Sequence, residues 1–152
     1  MRRHGALTEA KGVLLGYLEQ AYHRRARIAV LGTTAGRPHW LVEGQRASLH
    51  IPAWLENLGA GGGTPLIESL HVAHDWLKAR ERSHGGEASR VMVLTDGRIR
   101  NWSALPSFNV PVMVLDAERA PVRLGRARQL ADGLQAAYRH IDDLADDNGY
   151  AK

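Results

Sequence analysis

Leu7, Ala10, Leu14, Leu18 and Ala21 recur at three- and four-residue steps, a stripe that predicts an amphipathic helix from about Thr8 to Arg24. Thr8 is placed to cap it, and Glu9 suits the positive end of its dipole. The pattern then changes. Ile28-Ala29-Val30-Leu31 is a continuous apolar run stopped by Gly32, the mark of a short buried strand. After a turn over Thr33 to Arg37, His39-Trp40-Leu41-Val42 offers an antiparallel partner, so the two segments predict a hairpin. Ile51, Trp54, Leu55 and Leu58 are spaced for a short helix with Pro52 in its first turn. Gly59 to Gly63 end it. Pro65 opens another helix, whose stripe of Leu66, Ile67, Leu70, Ala73 and Leu77 runs to about Arg82.

Two further apolar runs follow, Val91-Met92-Val93-Leu94 and Val110-Pro111-Val112-Met113-Val114-Leu115, the first running into Thr95-Asp96-Gly97 and the second ending at Asp116. Leu124, Ala127 and Leu130 mark the inner face of a helix from about Arg123 to Ala131. Ala137 to Ile141 reads either as a last edge strand or as an extension of that helix. Strands alternating with helices predict an α/β chain with a mostly parallel sheet and helices on both faces. In such sheets ligands bind beyond the carboxyl ends of the strands, where Asp96 stands.

The 152 residues fit one domain spanning 1–152, and 44% hydrophobic with 24% charged residues is ordinary for a soluble globular chain. Cysteine is absent, which excludes disulfide scaffolds, thiolate zinc sites and thiol nucleophiles. No apolar run is long enough to span a bilayer, and no apolar signal core follows Met1-Arg2-Arg3, so the expected location is cytoplasmic, with no membrane partner. The net charge of +4 is mostly arginine, clustered at His23 to Arg27 and Arg123 to Arg128. These clusters lack interleaved aromatics and match no recognition helix, and Asp142 to Asp147 near the end of the sequence is acidic. Solvated faces are the expected reading, with no nucleic-acid partner.

Two glycine-flanked loops carry the candidate chemistry. Gly61-Gly62-Gly63-Thr64-Pro65 and Thr95-Asp96-Gly97-Arg98 each set an oxygen-bearing side chain at the edge of a regular element. Converging loops of this kind suit a hard divalent cation such as Mg²⁺, which takes oxygen ligands and keeps several waters. Local roles compete: Thr64 as cap of the helix at Pro65, Asp96 as initiator of a turn with Gly97. The glycine loop lacks the Gly-Lys-Ser/Thr ending of a phosphate loop. His71 and His74 have no third zinc ligand in pattern and are expected to pack or sit at the surface. With no Gly-x-Ser-x-Gly elbow, a hydrolase is disfavoured and no catalytic residue is assigned.

Gly61-Gly62-Gly63-Thr64-Pro65-Leu66 resembles the glycine-rich threonine loop, and Val91 to Arg98 with Asn101 the aspartate loop, of von Willebrand factor type A (integrin I-like) domains. The nearest resemblance is to the C-terminal domain of the D subunit of magnesium and cobalt chelatases, over about Thr8 to Leu144. Ala10-Lys11-Gly12, Arg27 to Val30, Leu130-Ala131 and Tyr138 to Leu144 also match, the last favouring an edge strand. The resemblance implies a Rossmann-like fold with one antiparallel edge strand. It also implies a Mg²⁺ adhesion site with Thr64 and Asp96 as ligands and Gly61, Gly62, Gly63 and Gly97 as loop support. Arg98, Asn101 and Trp102 would face the partner.

That family's remaining ligands lie in an Asp-x-Ser-x-Ser loop after the first, central strand. Met1-Arg2-Arg3-His4-Gly5 stands in its place, so strand and loop are expected to be missing, through a late start or a degenerate domain. The expected site is therefore partial, with weak or absent Mg²⁺ binding. The function the resemblance implies is a non-catalytic interaction module. It would join an AAA+ ATPase subunit and a large chelatase subunit in metal insertion into a tetrapyrrole, a partner's acidic side chain completing the metal site. Alternatives are an adaptor of another AAA+ ATPase, a small α/β enzyme using Asp96, and an inert truncated domain.

Overall fold

The computed structural model describes residues 4–34, 37–48, 55, 65–99, 102–119 and 124–144. Along the chain these form α1 (His4–His23), β1 (Arg27–Thr34), β2 (Arg37–Arg46), α2 (Leu66–Ser83), β3 (Val91–Thr95), β4 (Val112–Asp116), α3 (Arg126–Leu134) and β5 (Ala137–His140). The chain is α/β, as the alternation predicts. The strands fall into two sheets rather than one: an antiparallel pair β1–β2 and a parallel sheet in the order β3-β4-β5. Among the described residues no strand hydrogen-bonds to both.

The hairpin is longer than the apolar runs suggest. Strand β1 passes through Gly32 to Thr34, and its register with β2 shifts at Ile28/Ala29 and again at Val30/Leu31. Nor is β1 a buried strand: Ile28, Val30 and Leu31 are half-buried and Ala29 is exposed, and among the described residues β2 is its one strand partner. What the hairpin buries lies against α2. Trp40 and Trp76 hold their ring centroids 5.4 Å apart, Trp76 Nε1 donates to Glu43 Oε2 at 3.2 Å, and the Arg80 guanidinium lies over the Trp76 ring. Gly44 adopts φ +74°, and a β-carbon there would meet Arg80 Nη1 at 3.1 Å. Glycine is needed both for the turn of the backbone and for this close approach.

Helix α2 also reaches the parallel sheet. Its buried Ile67 and Leu70 join Val93, Val114 and Leu130 in one core cluster. Strand β4 lies at the centre, paired on both sides, with Val114 and Leu115 fully buried. Burying each of those side chains contributes about 1.5–3 kcal/mol. Val110 and Pro111 precede β4 instead of starting it. Pro111 has no N–H for a ladder, while its carbonyl accepts from the Val91 N–H at 2.9 Å.

Several boundaries shift for local reasons. Helix α1 begins at His4, so Thr8 is an interior residue and not a cap. Pro65 holds the cap position of α2, and Thr64 before it lies outside the described residues. The first turn is closed by the Ser69 N–H and Ser69 Oγ, both on the Pro65 carbonyl at 3.0 Å. Helix α3 begins at Arg126, since Gly125 takes the left-handed conformation, and it ends at left-handed Gln135. Ala137 to His140 is a strand, parallel to β4, which decides between the two readings of that segment. The helix expected over Ile51 to Leu58 lies outside the described residues except for Leu55, which is buried. Among the described residues no helix is long and apolar enough to cross a membrane.

Candidate functional site

The three parallel strands end together, and the candidate chemistry gathers at their carboxyl edge. In register, Thr95 of β3 lies beside Asp116 of β4, and Asp116 beside His140 of β5. The Ala117 N–H donates to the Thr95 carbonyl at 2.8 Å, carrying the ladder one step past the strands.

Asp96 follows β3 directly. Its Oδ1 accepts the Arg98 N–H at 3.1 Å, the Gly97 N–H donates to Thr95 Oγ1 at 3.1 Å, and the Arg98 guanidinium stands 3.6 Å from Oδ2. The loop is thus an aspartate-initiated turn, stapled by Thr95, with Gly97 at φ +87°. Burial works against the charged form of Asp96. Hydrogen bonds to the carboxylate, that of the Arg98 N–H among them, and the Arg98 charge outweigh it and hold the pKa below the usual carboxylate range. Arg98 is exposed at this edge, whereas Trp102 is half-buried and packs against the core cluster. Thr64, Gly61, Gly62, Gly63 and Asn101 lie outside the described residues. His71 and His74 take packing roles: His71 Nε2 meets the Ala104 carbonyl at 2.7 Å, and His74 stands edge-on to Phe108.

Two further carboxylates, absent from the sequence-level site, adjoin this loop. Asp116 is 2% exposed; its Oδ1 accepts the Glu118 N–H at 2.8 Å and its Oδ2 the Tyr138 hydroxyl. Glu118 is 6% exposed, and its Oε2 accepts the Leu124 N–H at 3.0 Å. Its Oε1 is buried without a hydrogen-bond donor among the described residues. A β-carbon on Gly97 would stand 3.6–3.9 Å from the Glu118 carboxyl, so this group rests against the aspartate loop. His140 locks the backbone beneath: its Nδ1 accepts the Asp142 N–H at 3.1 Å, so Nε2 carries the proton toward the Glu118 carbonyl at 2.9 Å. Asp116 has a signal in the sequence, an acid closing an apolar strand, whereas nothing local marks Glu118.

The donors at this edge are hard oxygens, which suit Mg²⁺ better than zinc or copper. Among the described residues no three His, Asp or Glu side chains converge as a ready cation cage. Asp96 and Glu118 therefore fit as part of a site and do not complete one.

Over 159 aligned residues, 95% of its length, the chain is 32% identical to an uncharacterised protein of Mycobacterium tuberculosis, spanning 25% of that protein. Over 93 residues, 60% of its length, it is 37% identical to the magnesium-chelatase 60 kDa subunit of Cereibacter sphaeroides. Over 92 residues it is 29% identical to the subunit of the same name in Rhodobacter capsulatus. It spans 16% of each of these two subunits. No family model and no solved structure matches the chain.

Proposed function

We propose that this chain is a cation-assisted protein-interaction module of a chelatase-like complex, built on a von Willebrand factor A-type fold. It links an AAA+ ATPase subunit to the large subunit that inserts Mg²⁺ or Co²⁺ into a tetrapyrrole, and it performs neither ATP hydrolysis nor insertion itself. The observation that carries this reading is the Asp96 loop at the carboxyl edge of a parallel sheet, in a chain similar over 60% of its length to magnesium-chelatase 60 kDa subunits.

Thr64 and Asp96 are the residues that would hold Mg²⁺ here, with Gly97 giving the turn and Gly61 to Gly63 the approach of the facing loop. A bound Mg²⁺ supplies a positive centre with open positions that an acidic side chain of a partner can fill. Asp96 presents its carboxylate at the edge, held by the Arg98 N–H. Arg98, exposed beside it, adds a second positive group for the same acidic partner. A threonine and one carboxylate make a weak site, which the chain alone fills weakly and complex formation strengthens.

The test is capture of the ATPase and large chelatase subunits on the immobilised chain, in Mg²⁺ and in EDTA. Binding should fall at least about tenfold in EDTA and equally with Asp96→Asn, the loss of about 1.4 kcal/mol or more. Equal binding by Asp96→Asn in Mg²⁺ would remove the cation from the mechanism.

A second reading is an adaptor for a different AAA+ ATPase. Binding to an unrelated ATPase but to no chelatase subunit would select it.

A further inference from the structure

Buried carboxylate oxygens without a donor are rare, because leaving one unsatisfied costs the desolvation of a charged group. Glu118 holds one. It is 6% exposed, its Oε2 is spent on the Leu124 N–H, and its Oε1 meets no donor among the described residues. Its position is enforced from three sides. The Glu118 N–H is bonded to Asp116 Oδ1, the Glu118 carbonyl receives His140 Nε2–H, and the carboxyl lies against Gly97. The Leu124 N–H on Oε2 and the approach of Gly97 hold the carboxyl itself, so the bare Oε1 stays buried against the aspartate loop.

The geometry points to Glu118 as the second anionic group of the cation site at Asp96: its bare Oε1, beside Gly97, faces the ion from the sheet side while Asp96 faces it from the rim. This rests on the reading of Asp96 as a cation-holding residue and goes beyond it by assigning a group that neither the threonine loop nor the aspartate loop contains. Two carboxylates attract a divalent cation far better than one, since affinity for such ions follows the charge count of the ligands. Glu118 acts directly or through one bound water, and its negative charge is the property required.

A purely structural Glu118 needs only an acceptor for the Leu124 N–H, which a glutamine amide oxygen also provides. The charge and the hydrogen bond are therefore separable in one variant. Mn²⁺ is the probe, followed by broadening of backbone amide resonances and by titration calorimetry on the purified chain. Wild type should show broadening at Gly97 and Glu118 that EDTA reverses, and Asp96→Asn should abolish it. Glu118→Gln should weaken Mn²⁺ binding roughly tenfold or more while keeping the urea midpoint in EDTA unchanged. If Glu118→Gln binds Mn²⁺ like wild type while Asp96→Asn does not, the assignment of Glu118 falls and the Asp96 site stands. If wild type shows no broadening, or Asp96→Asn binds unchanged, both fall. Should Glu118→Gln lower the urea midpoint in EDTA, Glu118→Asp decides: Mn²⁺ affinity well above that of Glu118→Gln supports the charge assignment, and Mn²⁺ affinity no better than that of Glu118→Gln overturns it.

Discussion

Asp116 and Asp96 are aspartates at the ends of neighbouring strands, yet they have opposite circumstances. Asp116 is sealed, with both oxygens engaged by the Glu118 N–H and the Tyr138 hydroxyl, and the Arg128 guanidinium covers the Tyr138 ring. Asp96 stands at the rim with a local turn bond and an arginine beside it. Asp116→Ala would strand two buried donors and should cost about 2–4 kcal/mol, read as a lower urea midpoint with an unchanged slope. Tyr138→Phe removes one partner and should cost about 1–2 kcal/mol. Asp96 was legible in the sequence because its role is local: an aspartate, a glycine and the end of an apolar run. Glu118 was not, since nothing near it in the chain announces that Gly97, twenty-odd positions earlier, covers its carboxyl. Burial of an acid by a distant glycine is a tertiary event without a short-range signature.

At the scale of elements, α1 and β4 differ most. Strand β4 is enclosed by partners on both sides, while α1 meets the sheet at a few points. Ala10 is buried; Arg119 pairs with both Glu9 and Asp142, the latter at 2.6 Å; the Tyr17 hydroxyl approaches Met113 Sδ at 3.9 Å. Leu15 and Tyr22 remain 37% and 41% exposed. The amides of α1 should therefore exchange with deuterium well before those of β3, β4 and β5. Arg119→Ala should speed exchange in α1 while leaving β4 protected. Equal acceleration in both, read by mass spectrometry, would show that α1 and the sheet open as one unit. The periodicity of α1 was plain from Leu7 to Ala21, but periodicity describes a face and not what covers it. Strand β1 carries the same lesson: an apolar run reads as buried, yet its Ile28, Val30 and Leu31 are only half-buried and Ala29 is exposed.

For the whole molecule, the decisive element is α2, which joins the two sheets. Its first turns feed Ile67 and Leu70 into the parallel-sheet core, and its later turns carry Trp76 and Arg80 onto the hairpin. The alternation of strands and helices predicted an α/β chain correctly. Among the described residues the strands lie in an antiparallel pair and a parallel three-stranded sheet, a division that no single strand's sequence marks, because pairing between distant strands leaves no mark on either strand alone. Leu130 is fully buried in the core cluster that Ile67 and Leu70 of α2 join. Leu130→Ala should lower global stability by about 2–5 kcal/mol, seen as one shifted transition. Trp76→Ala should loosen the hairpin from α2 with a smaller loss, about 2 kcal/mol for a half-buried indole.

The Trp40–Trp76 contact that joins hairpin to helix has an optical consequence. Two indoles with centroids 5.4 Å apart and planes tilted by 45° lie close enough for their excited states to couple. A skewed pair of this kind produces a paired positive and negative band in the circular dichroism of the indole transitions. That signal depends on the hairpin being seated against α2 and is silent on the helix content of the chain. The protein thus carries its own gauge of whether its two sheets are joined, readable without a label while a partner or a cation is added.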